Sequence, residues 1–161
     1  MHRLIYVSRS KTPFPPDLRA ILESSQRNNA KLGVTGVLCF LDGVYCQYIE
    51  GDSIVLENLY RLLLTDRRHK ELKLIDFGRI SERIYATWTM ALVTWNEHTR
   101  ALFKAVNPID TFNLYAITTA TAAVTFDALA HSSNWLELAS STSNFDYCPD
   151  QKYFSNGTTH F

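Results

Sequence analysis

Val34–Glu50, VTGVLCFLDGVYCQYIE, is the stretch whose reading decides this fold. Asp42-Gly43 separates two β-rich runs, Val34–Phe40 and Val44–Glu50, and marks a two-residue hairpin turn, because these residues tolerate the backbone angles such a turn needs. Along the second run Tyr45, Gln47 and Ile49 point one way, and Val44, Cys46 and Tyr48 the other. Both faces are largely apolar, so the sheet is expected to be covered on both sides. Gln47 is then a primary amide in a dry place. Burying it unpaired would cost roughly 2–7 kcal/mol on transfer scales, so a partner must offer it both a donor and an acceptor.

Outward from the hairpin, Arg3–Ser8 reads as a strand with Leu4, Tyr6 and Ser8 on one face. Pro13, Pro15 and Pro16 mark a turn, and Pro-Pro-Asp followed by Leu18, Ile21 and Leu22 opens a helix that reaches Asn28-Asn29 and stops at Gly33. After Gly51, the spacing of Val55, Leu56, Leu59, Tyr60, Leu62 and Leu63 is helical. Asp52 or Ser53 caps its start, and basic residues near Asp66-Arg67-Arg68-His69 suit the negative end of its dipole. Leu72–Ile80 and Tyr85–Trp95 read as a fourth and a fifth strand, joined by Ser81-Glu82-Arg83.

The order strand, helix, strand, strand, helix, strand, strand defines an α+β, ferredoxin-like βαββαββ fold with a five-stranded mixed sheet. Right-handed crossovers put the two helices on one face. Glu97–Val106 and Phe112–Leu138 supply one or two C-terminal helices for the other. The expected division is 1–95 as the core domain, 96–139 as a helical cap and 140–161 as a polar tail.

At 161 residues and 46% apolar content this is one domain with a real core. Sixteen basic residues balance sixteen acidic ones, which argues against a nucleic-acid partner. No run approaches the roughly 18 apolar residues of a membrane span. The N-terminus enters a strand directly, leaving no room for a signal peptide. Cys39, Cys46 and Cys148 are odd in number and lack metal-ligand spacing, so no metal is expected and a reduced, cytoplasmic protein fits best. Asn156-Gly157-Thr158 matches a glycosylation acceptor, which has no role without secretion.

Six short pieces, in order, carry a family resemblance: Leu4-Ile5-Tyr6, Ser24-Ser25-Gln26-Arg27-Asn28-Asn29, Gly33-Val34-Thr35-Gly36-Val37-Leu38, Gln47-Tyr48-Ile49-Glu50-Gly51, Asp66-Arg67-Arg68-His69 and Trp88-Thr89-Met90. Together, over Leu4 to Val93, they resemble a BLUF domain, the blue-light sensor that uses FAD, and most of all its short members without an attached effector.

The resemblance implies FAD, with FMN as the alternative, held between the two helices with its ring edge at the sheet. It places the family's tyrosine at Tyr6, its glutamine at Gln47 and its ring-binding asparagine at Asn29. Asn28, Arg68 and His69 fall at further flavin contacts. Some short members carry an arginine one turn before Asp-x-Arg-His; Leu62 stands there in this chain, with Arg61 beside it. The residues suit such a site, since a phenol can release an electron and then a proton, and an amide can turn over. A flavin edge offers acceptors at N5 and O4 and a donor at N3.

The mechanism implied is light-driven electron and proton transfer from Tyr6, reorganisation of Gln47, and a reversible red-shifted state, with no substrate turned over. Output is expected through Trp88 and Met90, two apart on the last strand and so on one face, to the C-terminal helices and a separate signalling protein. A homo-oligomer is also expected.

Each residue also has a plainer reading. Tyr6, Trp88 and Met90 suit a core, Gln47 a backbone-bonded amide, Asn28-Asn29 a helix end, and Arg67-Arg68-His69 a solvated one. Two rival classes follow: a ferredoxin-like module binding a metabolite or a protein without cofactor, and a flavoenzyme. Against the second, no Gly-rich phosphate loop follows the first strand, and Glu50 and Asp66 are read as capping or solvated residues at turns.

Overall fold

A computed structural model of the chain describes residues 1–11, 17–107, 112–132 and 135–136. The elements are β1 (His2–Ser10), α1 (Leu18–Leu32), β2 (Thr35–Leu41), β3 (Val44–Gly51), α2 (Ser53–Thr65), β4 (His69–Arg79), β5 (Ala91–Val93), α3 (Glu97–Val106), a 3₁₀ turn at Leu114–Ala116, α4 (Thr119–Ala130) and β6 (Trp135–Leu136). The sheet order is β4-β1-β3-β2-β5-β6, in which the expected five strands form the body and β6 adds a two-residue edge. Neighbours are antiparallel except β2 and β5, which run parallel. This is the expected ferredoxin-like α+β fold.

The local chemistry that shapes these elements is simple. Asp17 accepts from the Ala20 amide to start α1, and Gly33 ends it in the left-handed region at φ 64°. Asp52 caps α2 through the Ile54 amide. The hairpin turns at Asp42 (φ 50°) and Gly43 (φ 76°), both central positions left-handed, so the strand twist is kept. In β2, Gly36 admits the neighbouring strand: a Cβ there would lie 2.2 Å from the Tyr48 carbonyl oxygen.

The sheet separates two cores. One gathers Leu4, Tyr6, Leu38, Tyr45 and Ile49 with Leu18 and Leu22 of α1 and Leu56 of α2. The other gathers Ile5, Val7, Val37, Cys39, Cys46 and Tyr48 with Phe103, Phe126 and Leu129 of α3 and α4. Cys39 faces Cys46 across the β2–β3 ladder, and both are free and buried. Among the described residues no helix is long and apolar enough to cross a membrane.

Four expectations need correction. The fifth strand is not Tyr85–Trp95 but only Ala91–Val93. The preceding residues leave the ladder because a buried carboxylate claims their amides. Glu50 is fully buried in β3 rather than capping a turn. It accepts from the Ile84 and Tyr85 amides at 2.8 and 3.2 Å, the Tyr48 hydroxyl at 3.0 Å and the Thr35 hydroxyl at 3.2 Å. Arg83 adds bonds to the carbonyls of Gly33 and Glu50 and to the Thr35 hydroxyl. Residues 80–90 thus form an irregular strap tied to the sheet.

The α2 terminus is also different, with no basic residue in its last turn. Arg68 lies beyond it and folds back onto Asp66 at 2.6 Å. Phe112–Leu138 is broken: a 3₁₀ turn, α4 and β6 share it, because Asn113 and Thr118 each cap a new start. The turn expected at Pro13, Pro15 and Pro16 and the polar tail from Ser140 lie outside the described residues.

Gly36→Ala is expected to destabilise the domain by at least about 2 kcal/mol, since the new methyl meets main chain rather than a yielding side chain. Thermal melts should show a fall in Tm of more than about 4 °C. Glu50→Ala should lose more than about 3 kcal/mol by leaving several buried donors unpaired, as denaturant titration would measure.

Candidate functional site

The β1–β3 register sets Tyr6 directly opposite Gln47. Both side chains project to the α1–α2 face, and the Tyr6 hydroxyl donates to Gln47 Oε1 at 2.5 Å. The other end of the amide, Nε2, lies 3.4 Å from Met90 Sδ, its one partner among the described residues. A thioether is a weak acceptor, so this amide retains unused donor capacity. Gln47 is half-buried, while Tyr6 and Met90 are 3% and 1% exposed.

Two amides of α1 reach the segment that ends in Met90. Asn29 Nδ2 donates to the Thr89 carbonyl at 2.7 Å, and Gln26 Nε2 to the Met90 carbonyl at 2.8 Å. Gln26 lies one helical turn before Asn29, hence on the same helix face. That spacing was the signal from which its placement was legible. Asn29 is buried, with its Nδ2 committed to the strap.

The α2–β4 corner supplies polar groups. Ser8 Oγ and His69 Nδ1 are 2.8 Å apart, and the His69 ring meets Tyr45 at 5.0 Å. Arg68 is largely exposed and paired with Asp66. Asn28 is exposed on α1, outside the buried cluster. Arg61 lines a separate hollow of about 260 Å³ with Leu4, Tyr60, Leu74 and Phe77, and Leu62 is exposed.

Trp88 and Met90 do not share a face. No strand runs through them; Met90 enters the core of Tyr6 and Leu38, whereas Trp88 packs against the opposite core beside Tyr85. A period-2 reading fails here because the Trp88 amide closes a turn onto the Tyr85 carbonyl at 3.1 Å.

Electrostatics keep the pair neutral. Burial pushes the Tyr6 phenol well above its ordinary range, with further upward pushes from Cys46, Tyr45 and Asp66 and an opposing pull from Arg68. Tyr6 is therefore a neutral hydrogen-bond donor at physiological pH. The Arg68 hydrogen bond holds Asp66 down at about 2. Burial lowers His69, with Asp66 opposing and Arg68 reinforcing.

The arrangement can pass a proton between a phenol and an amide beside apolar walls supplied by α1, α2 and the sheet. The family model described as BLUF, "Sensors of blue-light using FAD", matches residues 1–91. Photoactivated adenylate cyclase subunit beta of Euglena longa is 36% identical over 93 residues, 56% of this chain and 11% of its own length. The corresponding subunit of Euglena gracilis is 32% identical over the same span. The chain thus spans about a tenth of the length of these curated relatives.

Among solved structures, BlsA in its photo-activated state superposes with a TM-score of 0.74 at 26% identity, covering 83% of this chain and 96% of its own. The dark state of BlrB, a BLUF protein, gives a TM-score of 0.62 at 30% identity, covering 79% and 95%.

His69 should titrate below the ordinary histidine value of 6.5 in an NMR pH series. Its folded value is the lower one, so the unfolded chain binds more protons and His69's contribution is present above 6.5 and lost as pH falls. Stability measured from about pH 7 to about pH 5.5 should therefore fall less in His69→Gln than in the wild type.

Proposed function

The chain belongs to the BLUF family, and from that premise we propose that it is a blue-light photoreceptor in which Tyr6 and Gln47 form the photoactive pair and FAD, or alternatively FMN, is the flavin. The observation that carries this is the 2.5 Å bond from the Tyr6 hydroxyl to a Gln47 amide whose opposite end meets only a thioether among the described residues. The residues fit a flavin edge. Gln47 Nε2 has donor capacity for a ring carbonyl, Asn29 has an amide oxygen for an imide N–H, and Ile21, Leu22 and Leu63 supply apolar surface on α1 and α2.

Bound flavin supplies absorption of blue light and, once excited, a one-electron acceptor. Tyr6, whose burial disfavours a free phenolate, gives up an electron and then its hydroxyl proton, for which Gln47 Oε1 is the waiting acceptor. Gln47 would leave the event turned over or tautomerised, with its amide N–H offered more strongly to a flavin carbonyl, which would move the absorption slightly to the red. Tyr6 recovers both particles, so the cycle closes in the dark with no substrate consumed. Asn29 would orient the ring through its amide oxygen, its Nδ2 being bonded to the Thr89 carbonyl. Asn28, Arg68 and His69 are proposed for the rest of the cofactor; His69 near Tyr45 is the best supported of the three.

Output in this proposal begins at Met90, the Gln47 contact, while Trp88 reports it to the far core. Residues 1–95 act as the sensor and 96–139 as the cap that a separate partner protein reads. A partner whose affinity shifts 5–150-fold needs a bias of only about 1–3 kcal/mol, within the range of one buried hydrogen-bond change. The protein is proposed to act as a homo-oligomer in the cytoplasm, where its two described free thiols would stay reduced.

Absorption spectra of purified protein before and after blue light test the reading. The wild type should show a reversible red shift; Tyr6→Phe and Gln47→Leu should each bind flavin and show none. A normal shift in either variant removes that residue from the photoactive pair.

A further inference from the structure

Residues 80–90 touch both cores, and each tie falls at a defined point. Toward the photoactive pair, Met90 meets Gln47, and the Thr89 and Met90 carbonyls accept from Asn29 and Gln26. The Trp88 carbonyl accepts from the Gly36 amide at 2.9 Å. In the middle, the Ile84 and Tyr85 amides are held by the fully buried Glu50 carboxyl group. On the far side, Tyr85 is 1% exposed and its hydroxyl donates to the Phe126 carbonyl of α4 at 2.6 Å. The rings of Tyr85 and Phe126 both pack on Tyr48, each centroid 5.2 Å away. Tyr48 is the residue next to Gln47 and points through the sheet to the opposite face.

We infer that Tyr85 is the positioning residue that couples the photoactive pair to α4, its hydroxyl on the Phe126 carbonyl converting a displacement of Met90 into a displacement of that helix. This rests on the sensor reading above. Three features support it. The strap is irregular, so it can shift without breaking a ladder. Glu50 fixes it at Ile84 and Tyr85, which makes those amides a pivot rather than a sliding contact. Tyr85 is itself one of the two pivot residues, and the Trp88–Tyr85 turn links it to the segment that Gln47 touches.

Helix α4 has a second, independent tie to the sheet, from Thr119 Oγ1 to the Ile75 carbonyl at 2.7 Å on β4, away from the strap. A role in merely holding α4 down would be shared by both ties. A coupling role belongs to Tyr85 alone. Tyr85→Phe is a conservative probe, because the ring stays and the Phe126 carbonyl keeps its partner within the helix.

The test uses the full chain loaded with FAD, following the flavin red shift and hydrogen exchange of the 119–130 peptide in darkness and under steady blue light. Wild type is expected to show both the shift and a light-dependent change in exchange. Tyr85→Phe should keep the shift and lose the exchange difference, and Thr119→Ala should keep both. An exchange difference that survives in Tyr85→Phe, or one lost equally in Thr119→Ala, overturns the coupling role. A wild type that shifts without any change in 119–130 also overturns it. Absence of the shift itself in the wild type refutes the sensor reading instead.

Discussion

Everything in this molecule depends on holding a single side-chain amide between a phenol and a sulfur in apolar surroundings. Gln47 is half-buried rather than sealed from water, and the β1–β3 register holds it opposite Tyr6. A strongly satisfied amide would have one deep energy minimum. This one has a short acceptor contact at Oε1 and only a weak donor contact at Nε2, so its donor end keeps capacity for a further partner.

Glu50 shows the complementary strategy. Its carboxylate is surrounded by four donors and fully buried, and nothing about it is poised to change. The chain therefore sets an adaptable polar group and a rigid one three residues apart on a single strand. Odd and even positions of β3 face different cores, so Gln47 meets the α1–α2 side while Glu50, with Tyr48, serves the other. The irregular strap bridges the two. In this light the short β5 is no defect in the sheet, since residues freed from strand pairing are the ones available to link both cores.

Much of this was legible from residue order. The Asp42-Gly43 turn, the Gly33 stop, the Asp52 cap and helix Glu97–Val106 follow from local rules and stand in the structure. The facing of Tyr6 and Gln47 follows from period-2 alternation within strands that are fully paired. Alternation misleads at Trp88 and Met90, because Thr and aromatic content mimics a strand where tertiary bonds from Glu50, Gln26 and Asn29 dictate the backbone. The place of Glu50 near a turn suggests a capping or solvated role, whereas the residue is fully buried. Its parity with Tyr48 on an apolar face pointed to buried donors elsewhere, and those donors are main-chain amides that carry no mark in a sequence. The family resemblance rests on six pieces jointly, and the family match over residues 1–91 agrees with it.

The hairpin tip carries a consequence that its exposed position conceals. Surface loops ordinarily accept insertions, but here the left-handed pair Asp42 and Gly43 counts residues for the strand that follows. One extra residue at the tip, if absorbed by sliding β3, exchanges its faces: Gln47 would be presented to α3 and α4, and Cys46 or Tyr48 would take its station before Tyr6. Neither a thiol nor a second phenol has an amide's two-ended polarity. The facing of Tyr6 and Gln47 is thus a matter of arithmetic at an exposed bend, several residues from either side chain.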